Sequence, residues 1–216
     1  MLNYNIQSYG NIYRMEHSDA MGGFQHVLKR IFDIVLAIIC LVLLSPLIVL
    51  FSAILFYDKG PVIFKQERVG YKGKPFMIYK FRTMRTDAES DGIPRLEPER
   101  NKYLTPFGSF LRTHHLDEIP QLWNVLKGDM SFVGPRPERQ YFIDQINRET
   151  DDYRYIYMMR PGITSYATIY NGYTDTMDKM LRRLEYDLDY LDNRTIFTDL
   201  GIIIKTVFSV VSGKKF

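Results

Sequence analysis

Between Asp33 and Asp58 the chain runs 24 residues, Ile34 to Tyr57, without a charge. As a helix rising ~1.5 Å per residue this run reaches roughly 36 Å, enough to cross the hydrocarbon core of a bilayer. Buried core helices this long and this apolar are uncommon, so membrane insertion is the expectation. Ser45-Pro46 lies at the midpoint. Proline removes one backbone donor and crowds the preceding turn, and a carbonyl freed in lipid is costly unless something satisfies it. The Ser45 hydroxyl is a local partner, and a kink is expected there. Lys29 and Arg30 precede the run; Lys59, Lys65, Arg68, Lys72 and Lys74 follow it. Positive residues favour the cytoplasmic side, so both ends ask for the same face. A re-entrant helix that enters, breaks at Ser45-Pro46 and returns satisfies both. A spanning helix with an ordinary proline kink is the alternative.

Elsewhere the chain reads as a soluble unit. Of its 216 residues 25% are charged, and the mean hydropathy is −0.19. A net charge of +3 does not indicate nucleic-acid binding. Cys40 is the single cysteine, which rules out an internal disulfide and a cysteine zinc site. Residues 1–28 are polar and aromatic, and no cleavable signal is expected in them. The organisation read from this is a polar extension over 1–28, a re-entrant membrane helix-break-helix over 29–58, and a cytosolic domain over 59–216. The extension is either disordered or laid on the membrane through Tyr4, Tyr9 and Tyr13.

Within the last part, Val62-Ile63-Phe64 and Phe76-Met77-Ile78-Tyr79 flank the turn residues Gly70 to Pro75, which predicts a β-hairpin. Residues 87–101 read as a surface loop. Ile119, Leu122, Trp123 and Leu126 recur at helical spacing, and Pro120 suits only a first turn, so a helix is expected from near Glu118 to Lys127-Gly128. Further helices are expected over 139–147 and 178–191. The apolar segment 200–211, interrupted by Lys205, either lies in the membrane interface or packs on the core. The fold class is mainly α with a small β-hairpin (α+β), a membrane-embedded helix, and amphipathic interfacial helices.

The acidic pair Asp117-Glu118 is expected at a helix start, where free N–H groups and the positive dipole end suit a phosphate. Two neighbouring acids facing a phosphate call for a cation such as Mg²⁺. An N-capping pair without catalytic work explains the same spacing. The basic residues favour chemistry: Arg112 just before the pair, Arg136 between two prolines, and Lys80 and Arg82 after the second strand, all of types that grip phosphate oxygens. His114-His115 reads as structural.

These residues fall in stretches that resemble the small monotopic phosphoglycosyl transferases, or bacterial sugar transferases. The resemblance covers Lys29 to the C-terminus. It is carried by Lys29-Arg30-Ile31-Phe32-Asp33, the Ser45-Pro46 run, residues 60–70, Lys80-Phe81-Arg82-Thr83-Met84, residues 116–125, Lys127 to Ser131, Gly134-Pro135-Arg136-Pro137-Glu138 and Arg160-Pro161-Gly162-Ile163-Thr164. It implies that Asp117 is a nucleophile attacking the β-phosphate of a UDP-sugar, releasing UMP and leaving an aspartyl-phosphosugar. Polyprenyl (undecaprenyl) phosphate then displaces Asp117, the first membrane step of capsule, exopolysaccharide or O-antigen synthesis. It also implies that Glu118 helps hold Mg²⁺, that Arg112 and Arg136 contact phosphate, and that Ser45-Pro46 breaks the re-entrant helix at a bacterial inner membrane, with the active site on the cytoplasmic face. The larger relatives carry extra spanning helices ahead of this unit, so the chain looks like the minimal catalytic form. A homodimer is compatible with all of this. One departure stands out: Ser165, Tyr166, Ala167 and Thr168 replace a stretch where many relatives carry Gly and Gln. The rival readings are a membrane-anchored, metal-dependent phosphodiesterase and a non-catalytic membrane scaffold.

Overall fold

A computed structural model describes residues 16–58, 60–86, 88, 101–171, 174 and 176–212. The loop expected over 87–101 falls almost wholly outside them, as do Tyr4, Tyr9 and Tyr13.

Helix α1 (Gly23–Tyr57, 35 residues) begins ahead of Lys29 and runs unbroken through Pro46, where a helix-break-helix was expected. The reason is local. Pro46 has no N–H to give the carbonyl four residues back, that of Val42. The Ser45 hydroxyl donates to that same carbonyl at 2.8 Å. The serine thus repairs the gap the proline opens.

Two faces of α1 have different fates. Ala37, Cys40, Leu41, Leu44, Ile48, Phe51 and Leu55, spaced for one helical stripe, pack into a core with Ile78, Phe81, Leu111, Ile119, Leu122 and Val125. The other faces carry exposed Val35, Ile38, Ile39, Val42, Leu43, Val49, Leu50 and Phe56. Only 11% of its most apolar 18-residue window is buried. A helix apolar all round and covered on one side only is compatible with membrane association.

The first turns of α1 are tied down by polar contacts. Lys29 Nζ reaches Asp199 at 2.5 Å and the Val133 carbonyl at 3.1 Å. Arg30 donates to the carbonyls of Val125 and Leu126, and Asp33 accepts from the Phe132 N–H. Lys29 and Arg30, the positive residues ahead of the charge-free run, thus also serve as internal ties.

The predicted hairpin is present: β1 (Ile63–Val69) pairs antiparallel with β2 (Pro75–Phe81), Ile63 opposite Phe81. Helix α2 (Pro106–Thr113) is capped by Thr105, whose side chain accepts from Gly108 N–H. Helix α3 (Gln121–Lys127) follows after a 3₁₀ turn over Leu116–Glu118. It buries Gln121, Leu122, Asn124 and Val125; Trp123, expected on the inner face, is 55% exposed. Asn124 decides that rotation. Its amide accepts from Tyr79 N–H at 3.0 Å and donates to the Met77 carbonyl at 2.7 Å, docking α3 on the free edge of β2.

A second, unexpected sheet joins β3 (Ser131–Val133) to β4 (Gly162–Thr164) in parallel. Two glycines permit it: a Cβ on Gly134 would lie 2.1 Å from the Arg160 carbonyl oxygen, and one on Gly162 would lie 2.2 Å from Gly134 N. Around it sit α4 (Gln140–Glu149), α5 (Tyr153–Ile156), α6 (Tyr166–Asn171), α7 (Met177–Asn193) and α8 (Ile196–Val211). Val133, Ile143, Ile146, Leu184, Leu188, Leu191 and Ile202 form their shared core. Helix α8 buries Ile202 but exposes Phe197, Leu200, Ile204, Val207 and Phe208, so it both packs on the core and presents an apolar stripe.

Candidate active site

The hairpin end, the 3₁₀ turn and the loop after β3 meet at one place. Phe81, Leu111 and Ile119 are buried in the core that α1 completes, and each is the chain neighbour of a charged residue: Lys80, Arg112 and Glu118. Packing of the apolar residues against α1 therefore brings the polar ones together. Each fully buried side chain of this size contributes roughly 1.5–3 kcal/mol to holding that arrangement.

Lys80 Nζ lies 2.5 Å from Glu118 Oε1 and 4.0 Å from Asp117 Oδ2. Arg136, on the loop after β3, brings Nη1 to 3.6 Å from the same Glu118 oxygen, and its side chain is 45% exposed. Arg112, in the last turn of α2, is near enough for its charge to act on Asp117. Asp117 itself is buried. Asp117 and Glu118 lie in the 3₁₀ turn, not in the first turn of α3 as expected. Cationic side chains surround the pair instead.

The surroundings shift the two acids in opposite directions. Burial pushes the Glu118 carboxyl up, but Lys80 and Arg136 outweigh it and hold it down at about 2. Burial also pushes Asp117 up; Lys80 opposes, the negative charge of Glu118 adds, and the net shift is upward. Burial lowers Lys80 despite both acids. Glu118 is the committed anion, held by two cations. Asp117 is the more basic of the two, with Lys80 at 4.0 Å rather than 2.5 Å.

Arg82 is not part of this cluster. Its Nη2 donates to the carbonyls of Leu55 and Asp58 and to the Asp58 carboxylate, at 3.1–3.2 Å, capping the end of α1. Ser45 and Pro46 remain in α1, with the repair role described. Sequence reasoning set His115 aside as structural and missed its backbone, which takes the left-handed conformation (φ 55°) just before the acidic turn. It also missed Asn124, and Glu138 with its arginines. No spacing marks them. The Ser165–Thr168 stretch forms the start of α6, with the Ser165 hydroxyl accepting from Thr168 N–H.

Comparison with known proteins shows the family. The family described as bacterial sugar transferase matches residues 24–213. The chain belongs to that family. It is 38% identical over 187 residues to a UDP-N-acetylgalactosamine-undecaprenyl-phosphate N-acetylgalactosaminephosphotransferase of Aeromonas hydrophila, covering 86% of this chain and 44% of that protein. It is 40% identical over 191 residues to a UDP-glucose:undecaprenyl-phosphate glucose-1-phosphate transferase of Escherichia coli (strain K12), covering 87% and 41%. It spans less than half of either relative. An uncharacterized sugar transferase of Bacillus subtilis (strain 168), 40% identical over 186 residues, matches over 86% of this chain and 88% of its own length.

Proposed function

We propose that this bacterial sugar transferase moves a sugar-1-phosphate from a UDP-sugar to polyprenyl phosphate, in two displacements through Asp117. The observation that carries it is the pairing of a buried, upward-shifted Asp117 with the cations Lys80, Arg112 and Arg136, built directly on a helix whose outer faces are apolar and uncovered. A diphosphate brings negative charge that exposed Arg136 can reach, while Lys80 lies between the two acids. Asp117 Oδ attacks the β-phosphorus. The bond from that phosphorus to the bridging oxygen breaks, and UMP leaves with the electron pair. A polyprenyl phosphate oxygen then attacks the same phosphorus, breaks the aspartyl–phosphorus bond, and yields polyprenyl-diphosphate-sugar with Asp117 restored. Splitting one displacement into two is the ordinary gain of covalent catalysis.

Mg²⁺ is the cofactor that fits. It is held by one or two carboxylates plus substrate phosphates rather than by a full protein cage, and Glu118 beside Asp117 offers that set. Once bound, the ion would neutralise charge on the diphosphate.

Helices α1 and α8 are the membrane contacts in this reading, with α1 re-entrant and the site facing the cytoplasm. The test is UMP release from UDP-glucose and UDP-N-acetylgalactosamine with Mg²⁺ and undecaprenyl phosphate. Asp117→Asn is expected to cut the rate by at least about 10³-fold with an unchanged melting temperature. A fully active D117N enzyme would remove Asp117 as nucleophile. UMP release without the lipid phosphate at the full multiple-turnover rate would point to hydrolysis.

A further inference from the structure

Arg136 stands on a loop whose every neighbour is fixed. Gly134 N–H donates to the Thr164 carbonyl at 3.1 Å, and the Pro135 carbonyl accepts from Gly162 N–H at 3.0 Å. Arg68 Nη1 donates to the Pro137 carbonyl at 3.1 Å. Val69 N–H donates to the Glu138 carbonyl at 3.0 Å. The Glu138 side chain turns inward, buried. It lies 2.5 Å from Arg183 Nη2 on α7 and 3.7 Å from Arg68 Nη1 on β1. One carboxylate thus ties the loop to a strand and a helix that are far apart in sequence. Two prolines restrict the backbone on either side of Arg136, and only its side chain is left to move.

We infer that Glu138, held by Arg183 and Arg68, is a positioning residue that fixes Arg136 for the diphosphate of the nucleotide donor. The inference rests on the proposed phosphate contact of Arg136. A buried ion pair is weak evidence for stability, because desolvation offsets most of the attraction. Its use here is geometric. Glu138 is the residue after Pro137, so movement of its carboxylate displaces the base of the Arg136 side chain, and misplacement of a clamp by an ångström weakens a charged contact steeply.

The test is binding of UDP, with Mg²⁺ present, to the full chain in nanodiscs by calorimetry. The stoichiometry reports the folded fraction and the Kd reports the site. Glu138→Gln and Arg183→Gln are each expected to raise the Kd for UDP about tenfold at unchanged stoichiometry. Arg183→Lys, which keeps the charge, is expected to restore most of the affinity. In an Arg136→Gln background, Glu138→Gln should weaken binding no further, since the group it positions is gone. If Glu138→Gln fails to fold, the Arg183 variants carry the same comparison. The inference is overturned if Arg183→Gln, or a folded Glu138→Gln, binds UDP with an unchanged Kd, or if the loss adds in full to that of Arg136→Gln. An Arg136→Gln protein that binds UDP like the wild type would instead overturn the phosphate contact of Arg136 itself.

Discussion

At the scale of single residues, burial decides which acids are used and which are stored. Asp187 on α7 is buried beside Arg183 and Glu138. Burial pushes its carboxyl up to about 7; Arg183 pulls it down and the charge of Glu138 pushes it further up. Unfolded, the same group titrates near 3.9. Between these values the folded state holds a proton that the unfolded state has released, so stability is fully present below about 4 and is lost as pH rises through about 7. The span corresponds to roughly 4 kcal/mol at most, at ~1.4 kcal/mol per unit. Asp187→Asn keeps the shape and removes the titration. It is expected to melt several degrees above the wild type at pH 8 and close to it at pH 5. An equal loss of melting temperature at both pH values would show that Asp187 is instead a needed anion. Glu118 is the contrasting case, an acid kept ionised by Lys80 and Arg136 across the physiological range.

At the scale of elements, the end of α1 tests whether a cation binds phosphate or backbone. Arg82 satisfies two carbonyls left over at that helix end, and the spot is tight: a Cβ on Gly60 would sit 2.2 Å from its Nη1. Leaving such carbonyls unpaired costs about 1–3 kcal/mol. Arg82→Met is therefore expected to lower the melting temperature by several degrees and leave the donor KM within about twofold of wild type. A wild-type melting curve with a raised KM would return Arg82 to the phosphate site. The sequence could not separate Lys80 from Arg82, since both are basic and follow a strand; only packing of Phe81 between them on α1 assigns them different partners. The hairpin was legible from two β-rich runs around a Gly/Pro turn, and α7 from its charged amphipathic pattern, whereas the segment of α8 was legible only as an apolar stretch. The β3–β4 pair was not: three residues per strand carry no period, and the backbone approach of Gly134 to Gly162 joins segments about thirty residues apart. The acidic pair was legible as a pair, yet its 3₁₀ setting depends on His115 in the left-handed region, which nothing at that position announces.

At the scale of the whole molecule, both halves of α1 serve the same body. Its first half is bound to β3 through Lys29 and Asp33, and its second half to β2 through Phe51 against Phe81 and Leu55 against Arg82. These are the strands that lead to Arg136 and carry Lys80. From Lys29 to Leu55 a straight helix extends ~39 Å, more than the ~30 Å apolar core of a bilayer. A spanning α1 would need this one polar body on both sides of the lipid, or its charged ties inside it, and buried charges in hydrocarbon are costly. Both ends of α1 should therefore emerge on one face, with the outer apolar residues dipping into a single leaflet. Gly22→Cys and Tyr57→Cys, each in a Cys40→Ala background, are expected to react with an impermeant maleimide from the same side, in inside-out vesicles and not in intact spheroplasts. Labelling of the two positions from opposite sides would establish a spanning helix. It would also leave the two-sided anchoring of α1 without a physical account, because the contacts that assemble Lys80, Asp117 and Arg136 need both halves of that helix on one domain.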